Sequence, residues 1–371
     1  MEWEGIVKAQ DAELALLQPF IERMIPPNPA LRTYALLLAA GFRTGNLKTA
    51  ITEEALDLLG LGKVGQGEVY DALEDLGGSL GNTVVLRGAP NAKMAAGDVH
   101  VPEKFGRNLH GRYNTMRGRP TKTIPTLTVA DVSNIHADPI LVEVLEEAGD
   151  RGPQLLLRII PRLKKLGHEL LLFDGELSSK EVTSQTTTLG MSFIGRLRSN
   201  TLLAGRLKPL MTEENRLYSM KMFDLEWGGE VVVFGFLRRE KHFCYISNLN
   251  APAEELKELF GRKWRLENFF RDADFIDQFP GCNPAKARAH AFISFTLGRL
   301  TGAFRATAKT IRLLFRAVKG ATISRGRLTV EFHALPKRLV EKLWSYIAYL
   351  REKLEVDASL HFIPASSETG R

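Results

Sequence analysis

Glu267 sits in RKWRLENFFRDADF, Arg262 to Phe275, a segment otherwise crowded with cationic and aromatic side chains. If the segment is helical, residues four apart share a face, so Lys263 and Arg271 flank Glu267 at i−4 and i+4, with Trp264 and Phe270 three residues away on either side. Two chemistries fit. One is a surface ion pair beside a buried aromatic stripe, with Trp264 as core. The other is a metal-binding carboxylate on a helix whose cations hold a polyanion. Asp174 raises a similar choice. It closes LLLFD, the most apolar strand-like run in the chain, and Gly175 follows at once. An acid at the carboxyl end of a buried strand stands where α/β folds place their chemistry, but an acid before glycine is also a turn former or helix N-cap. A further acid, Asp98 in AAGDVHVP, precedes a stretch from Lys104 to Lys122 with six Lys or Arg and no acid. Its rival is Asp131 in TLTVADVSN, on the run with the stronger β propensity.

The elements that would carry these acids follow from periodicity and punctuation. Residues 1 to about 90 read as helices, with ITEEALDLL and GEVYDALEDLG as helix, turn, helix and Thr52 as an N-cap. That unit is either a DNA-binding helix-turn-helix or a plain helical bundle. GLGKVGQG has the spacing of a dinucleotide fingerprint, but a helical segment precedes it where a strand is required, so it reads as a turn. From about residue 91 the pattern changes. KMAAGDVHVP and IPTLTVADVSN read as strands, PILVEVLEEAGDRGPQLLLRIIPRLKKLG as a helix, and HELLLFDGEL as a buried strand. SSKEVTSQTTTLG reads as a helix and MSFIGRLRSN as another strand. Residues 201 to 240 read as a β-rich insertion, followed by the strand KHFCYISNL and one long helix, APAEELKELFGRKWRLENFFRDADF. Strands alternating with helices imply a mixed α/β sheet.

Charge narrows the partner. Formal net charge is +7 and the isoelectric point is near 9.3. No Asp or Glu occurs from Gln278 to Val330, where ten Lys or Arg stand, while the rest of the chain is mildly acidic. Within that zone Arg305, Lys309, Arg312, Arg316 and Lys319 recur at spacings of 4, 3, 4 and 3, which predicts one basic helix face. Such a zone is the footprint of a phosphate-backbone binder. Cys244 and Cys282 are too few for a disulfide framework or a zinc knuckle, and His100, His110 and His136 lack zinc spacing. No apolar run approaches the roughly 20 residues of a membrane span, so the expectation is a cytoplasmic, nucleoid-associated protein without a membrane partner.

Two stretches resemble the DDE transposases of prokaryotic insertion sequences. LLLFDGELSSKEV with GMSFIGRLRSN looks like that family's second-Asp strand, helix and Arg-containing strand. YISNL with ELFGRKWRLENFFR looks like its last strand and glutamate helix. The resemblance implies a ribonuclease-H-like core of a first strand with Asp, a two-stranded hairpin, a helix, a strand with the second Asp, a fifth strand and the glutamate helix. The 76 positions between Asp98 and Asp174 hold two strands and a helix, whereas the 43 after Asp131 are nearly filled by the helix, so Asp98 is the expected first acid. The implied domains are a helical N-terminal unit (1–90), a first part of the core (91–200), the β insertion (201–240), the second part with the basic helical region (241–330), and a C-terminal helix and tail (331–371).

The implied activity is metal-dependent cleavage at transposon ends and strand transfer into target DNA. Asp98, Asp174 and Glu267 would hold two Mg²⁺ ions about 4 Å apart, with Mn²⁺ as a substitute, because hard cations take oxygen ligands. Lys263, Arg271, Arg305, Lys309, Arg312, Arg316 and Lys319 would hold double-stranded DNA, and a homodimer would join the two ends. Where the family often shows Tyr, Arg, Glu and Lys on the glutamate helix, this chain has Phe260, Lys263, Glu267 and Asp274. Those departures keep two alternatives in view, a catalytically impaired DNA-binding relative and a nuclease on the same core.

Overall fold

A run as apolar as LLLF has to be covered on both faces, and in the computed structural model of the chain it is a central strand of the sheet with Leu171, Leu172 and Phe173 buried. The structure describes residues 5–7, 12–44, 64–86, 93–100, 110–114, 119–123, 125–144, 152–273, 283–316, 318–324, 327–332 and 336–357. They fall into two units, Leu80–Phe270 and Met1–Ser79 with Arg271–Arg371.

In the Leu80–Phe270 unit the strands are β1 (Thr83–Val85), β2 (Met94–His100), β3 (His110–Asn114), β4 (Arg119–Thr123), β5 (Thr126–Asp131), β6 (Asp138–Val144), β7 (Leu170–Phe173), β8 (Ser192–Arg196), β9 (Leu217–Asp224), β10 (Gly229–Arg238) and β11 (Lys241–Ser247). Nine of them form one sheet in the order β9-β10-β11-β8-β7-β2-β5-β6-β1, while among the described residues β3 and β4 pair only with each other. β2 runs parallel to β7 and β7 parallel to β8; the other neighbours are antiparallel. The central five, β6-β5-β2-β7-β8, are therefore the third, second, first, fourth and fifth strands of a ribonuclease-H-like core, as expected.

Parallel neighbours need crossovers, and two helices supply them. α1 (Gly152–Lys165) returns the chain from β6 to β7, burying Leu155, Leu156, Ile159, Ile160 and Leu163 along one stripe against the sheet. α2 (Lys180–Thr188) joins β7 to β8 and starts at Ser179, whose hydroxyl caps the Val182 N–H. A short α3 (Leu202–Leu207) precedes β9, and α4 (Ala253–Gly261) and α5 (Trp264–Ala273) follow β11. Close packing at the centre depends on Gly195. The ring of Phe173 on β7 lies across it, so a Cβ there would fall 2.2 Å from Phe173 Cε2.

Several expectations change. PILVEV is strand β6, paired with β5, and not the start of a helix. Its Glu143 mimics a helical polar position, yet it is buried and held by Arg158 at 2.8 Å and the Thr83 hydroxyl at 3.1 Å. The expected β insertion holds the helix α3 and then two long strands that extend the main sheet through β11. The single long helix is two helices, broken at Arg262 and Lys263. There the backbone N–H groups of Arg262, Lys263, Arg265 and Leu266 reach carbonyls only three residues back, one residue after a glycine with no packing role.

The other unit has helices at Ala12–Met24, Pro29–Thr44, Gln66–Ser79, Pro284–Gly298, Leu300–Ala303, Ala308–Arg316 and Lys337–Leu354. Leu16, Phe20, Leu36, Leu297, Phe304 and Tyr346 lie at its core. Tyr346 stacks on Phe304 at 4.2 Å and donates its hydroxyl to the Leu16 carbonyl. A three-stranded antiparallel sheet of Gly5–Val7, Val318–Ser324 and Arg327–Phe332 stands where only helix was expected, because VKGATIS and RLTVEF are rich in β-branched residues. The first helix of the expected helix-turn-helix, with Thr52, lies outside the described residues. No helix among the described residues is long and apolar enough to cross a membrane.

Gly195→Ala is expected to lower stability by about 1–3 kcal/mol, since the Phe173 ring has to leave its packed position. An unchanged urea midpoint would show that the ring is not held there. His168, buried between α1 and β7, titrates below the ordinary histidine range, because burial disfavours its charged form more than Asp131 favours it. The unfolded chain thus takes the proton more readily. The contribution of His168 is complete above the unfolded pKa of about 6.5 and is lost as pH falls through the lower folded value. Thermal denaturation across that window should show a flatter loss of stability in His168→Gln than in wild type; equal slopes would remove His168 from the pH response.

Candidate active site

The acids meet because of strand register. Gly97 on β2 pairs with Phe173 on parallel β7, so the next residue of each strand, Asp98 and Asp174, stands at one level of the sheet. Phe173 pairs with Gly195, which brings Arg196 level with Asp174; Thr128 faces Asp98 from β5, and Tyr245 faces Arg196 from β11. Residues in register across a sheet point to the same face. Thr128, Asp98, Asp174, Arg196 and Tyr245 are therefore one row, with both acids at the carboxyl ends of parallel strands.

Glu267 reaches this row through α5. Leu266, Phe269 and Phe270 are buried, Phe270 stacks on His100 of β2 at 4.5 Å, and the Arg265 Nη1 donates to the Val132 and Asn134 carbonyls, each at 2.6 Å. These contacts fix the start of the helix over the end of β2 and the turn after β5. Lys263, at the break between α4 and α5, then points inward and is only 3% exposed. Its Nζ donates to Asp98 Oδ2 at 2.6 Å and to Glu267 Oε1 at 3.2 Å. Burial pulls the Lys263 pKa down, but the Asp98, Asp174 and Glu267 carboxylates outweigh it and hold the ammonium above the ordinary lysine value.

Arg196 flanks the row on its other side. Its Nη1 lies 3.7 Å from Asp174 Oδ1, too long for a hydrogen bond, and its guanidinium sits 5.2 Å from the centre of the Phe243 ring. Arg198 pins the turn after Asp174 by donating to the Gly175 and Glu176 carbonyls at 2.9 and 3.0 Å. The Asp98 Oδ1 accepts from the Val99 N–H at 2.9 Å. Beside it, the buried Thr128 hydroxyl has no hydrogen-bond partner among the described residues. The sequence marked the strand carrying Arg196 but not its role next to Asp174, and it gave no sign of Thr128. Both emerge only from register.

Trp264 was expected in the core, yet it is 61% exposed at the first turn of α5, because the helix break turns Lys263 inward in its place. Asp131 caps the turn after β5 by accepting the Ser133 N–H at 2.8 Å. Phe260 packs on Tyr245 at 4.8 Å, and Asp274 lies outside the described residues. Arg271 is exposed on α5. The five residues of the predicted basic face belong to the other unit and do not share one helix. Arg305 has a φ of 47° in a turn, Lys309, Arg312 and Arg316 are on the Ala308–Arg316 helix, and Lys319 is on the Val318–Ser324 strand.

Three carboxylates offering only oxygens suit a hard divalent cation. Among the described residues, however, no three His, Cys, Asp or Glu side chains are arranged to share an ion. The Lys263 ammonium stands against two of the acids instead.

Residues 103–297 match the family described as transposase DDE domain, a span that holds Asp174 and Glu267 and begins just after the Asp98 strand. Among solved structures, the chain is similar to the piggyBac transposase in a synaptic complex with hairpin DNA, at 12% identity over 87% of this chain and 72% of that one, with a TM-score of 0.46. It is also similar to the Drosophila P element transposase of a strand transfer complex, at 11% identity over 87% and 81%, with a TM-score of 0.22. No curated protein matches the chain. With more than half its length matched, the chain belongs to the transposase DDE-domain family.

Proposed function

We propose that this transposase cuts DNA at transposon ends and joins the freed ends to target DNA, with Asp98, Asp174 and Glu267 as its metal carboxylates. The observation that carries this reading is the placing of Asp98 and Asp174 at adjacent ends of parallel strands, with the start of α5 anchored over them. Bound there, one or two Mg²⁺ or Mn²⁺ ions would lower the pKa of an attacking hydroxyl and stabilise the leaving oxyanion. Asp98 and Asp174 contribute carboxylate oxygens from the rigid sheet. Glu267 contributes one from a helix that Arg265 and Phe270 hold in place.

In the first reaction a water oxygen bonds to the phosphorus at the transposon end and the bond to the 3′ oxygen breaks. In the second, that 3′-hydroxyl attacks a target phosphodiester and displaces another 3′ oxygen, so the phosphodiester count is conserved and no covalent bond to the protein is needed. Arg196, held over Phe243 and only loosely paired with Asp174, has N–H groups suited to the non-bridging oxygens of the reacting phosphate. Arg271, Lys309, Arg312 and the neighbouring cations hold backbone phosphates, giving salt-sensitive binding with little base readout. A pair of protein copies would bring two ends together.

The test is Mg²⁺-dependent nicking and joining of DNA carrying the sequences that flank the gene, with wild type and Asp174→Asn. The variant should bind the DNA as wild type does and lose at least about 100-fold in nicking rate. Undiminished nicking would overturn the metal role. Cutting of any DNA without joining would identify a nuclease instead.

A further inference from the structure

We propose that Lys263 is the resident counter-cation of the carboxylate site, holding Asp98 and Glu267 together in the metal-free protein, and that a divalent cation loads by exchanging with its ammonium. This rests on the reading of Asp98, Asp174 and Glu267 as metal ligands. An ammonium with 3% exposure needs compensating charge, and its two contacts, at 2.6 and 3.2 Å, are to the very oxygens an ion would need. The carboxylates have the complementary need, since like charges brought together repel.

The side chain is directed inward by the backbone, not by chance rotamer choice. At the α4–α5 break the hydrogen bonds tighten to three-residue spacing, and Lys263 turns inward while Trp264 faces solvent. A divalent ion bound by Asp98 and Glu267 would lie within a few ångströms of this buried ammonium, and like charges at that separation repel. The two cations therefore alternate. Four flexible methylenes let the ammonium withdraw, and once outside it meets the phosphate that arrives with DNA. Metal loading thereby releases a DNA contact, and by reciprocity DNA favours loading.

The experiment titrates Mn²⁺ into full-length wild type, Lys263→Gln, Lys263→Arg and Asp174→Asn without DNA, following free Mn²⁺ by electron paramagnetic resonance. Lys263→Gln should bind Mn²⁺ roughly tenfold or more tightly than wild type, because the competing charge is gone, while Lys263→Arg should not. Without metal, Lys263→Gln should melt below wild type, and saturating Mn²⁺ should narrow that gap. A second measurement needs no variant to fold: an amine-acetylating reagent should spare Lys263 in metal-free wild type and modify it in saturating Mn²⁺, but not in NaCl of equal ionic strength. Mn²⁺ binding by wild type that Lys263→Gln does not tighten, or equal protection of Lys263 with and without Mn²⁺, overturns the exchange and leaves the proposed function standing. If wild type binds no Mn²⁺ and Asp174→Asn nicks normally, the metal reading itself falls, and this inference with it.

Discussion

The parallel pairing of β2 with β7 is the constraint from which the rest of the site follows. Once Gly97 is level with Phe173, Asp98 and Asp174 emerge side by side at the same sheet end, and two neighbouring negative charges must be answered by cations. Lys263 answers on the Asp98 side and Arg196 on the Asp174 side, so the acidic pair sits between two positive groups. The pairing also requires α1 and α2 as crossovers, and the apolar stripe of α1 in turn dictates the buried runs on β5 and β7. Sheet and site are consequences of the same register.

The helix above the site needs its break. An uninterrupted helix from Ala253 to Ala273 would place Lys263 and Glu267 on one face at ordinary i, i+4 spacing, a pairing worth only a few tenths of a kcal/mol on a solvated surface. With the break, Lys263 leaves solvent and bridges from the α4–α5 junction to β2 across 165 positions of sequence. A local helix pair becomes a tertiary one. The Arg265 contacts and the Phe270–His100 stack anchor the same turn of α5, so Glu267 is placed by three separate interactions rather than by helix geometry alone.

What the sequence disclosed and withheld follows from this division between local and tertiary effects. LLLFD was legible as a buried strand ending in an acid because a short apolar run of that kind has few local alternatives, whereas the segment of Glu267 read as one long helix and is broken at Arg262 and Lys263. β6 was not legible: PILVEV followed by acids has helical spacing, and only Arg158 and Thr83, brought in by the fold, make a buried Glu143 tolerable in a strand. The basic face from Arg305 to Lys319 failed for a related reason. Its 4, 3, 4, 3 spacing is a helical signal, but a left-handed turn at Arg305 and a β-branched run after Arg316 interrupt it. Thr128 carried no local signal, and Arg196 only its place on a strand. Their relevance is a matter of which strands lie side by side.

The departures on the glutamate helix also acquire a physical reading. Phe260 packs its ring on Tyr245, whose backbone is level with Arg196, so the apolar side chain supports the end of the row that holds the arginine. Lysine at 263 is suited to the buried position because it is a compact charge on a flexible stem, whereas a planar guanidinium would need more acceptors than Asp98 and Glu267 present there. Three carboxylates against two cations leave the site one negative charge in excess. Under the proposed exchange, a divalent ion in place of the lysine ammonium would remove that excess, and a second ion would leave two positive charges, of which one arriving phosphodiester would offset one. In that proposal the charge balance couples the two events, so that metal loading and DNA binding favour each other.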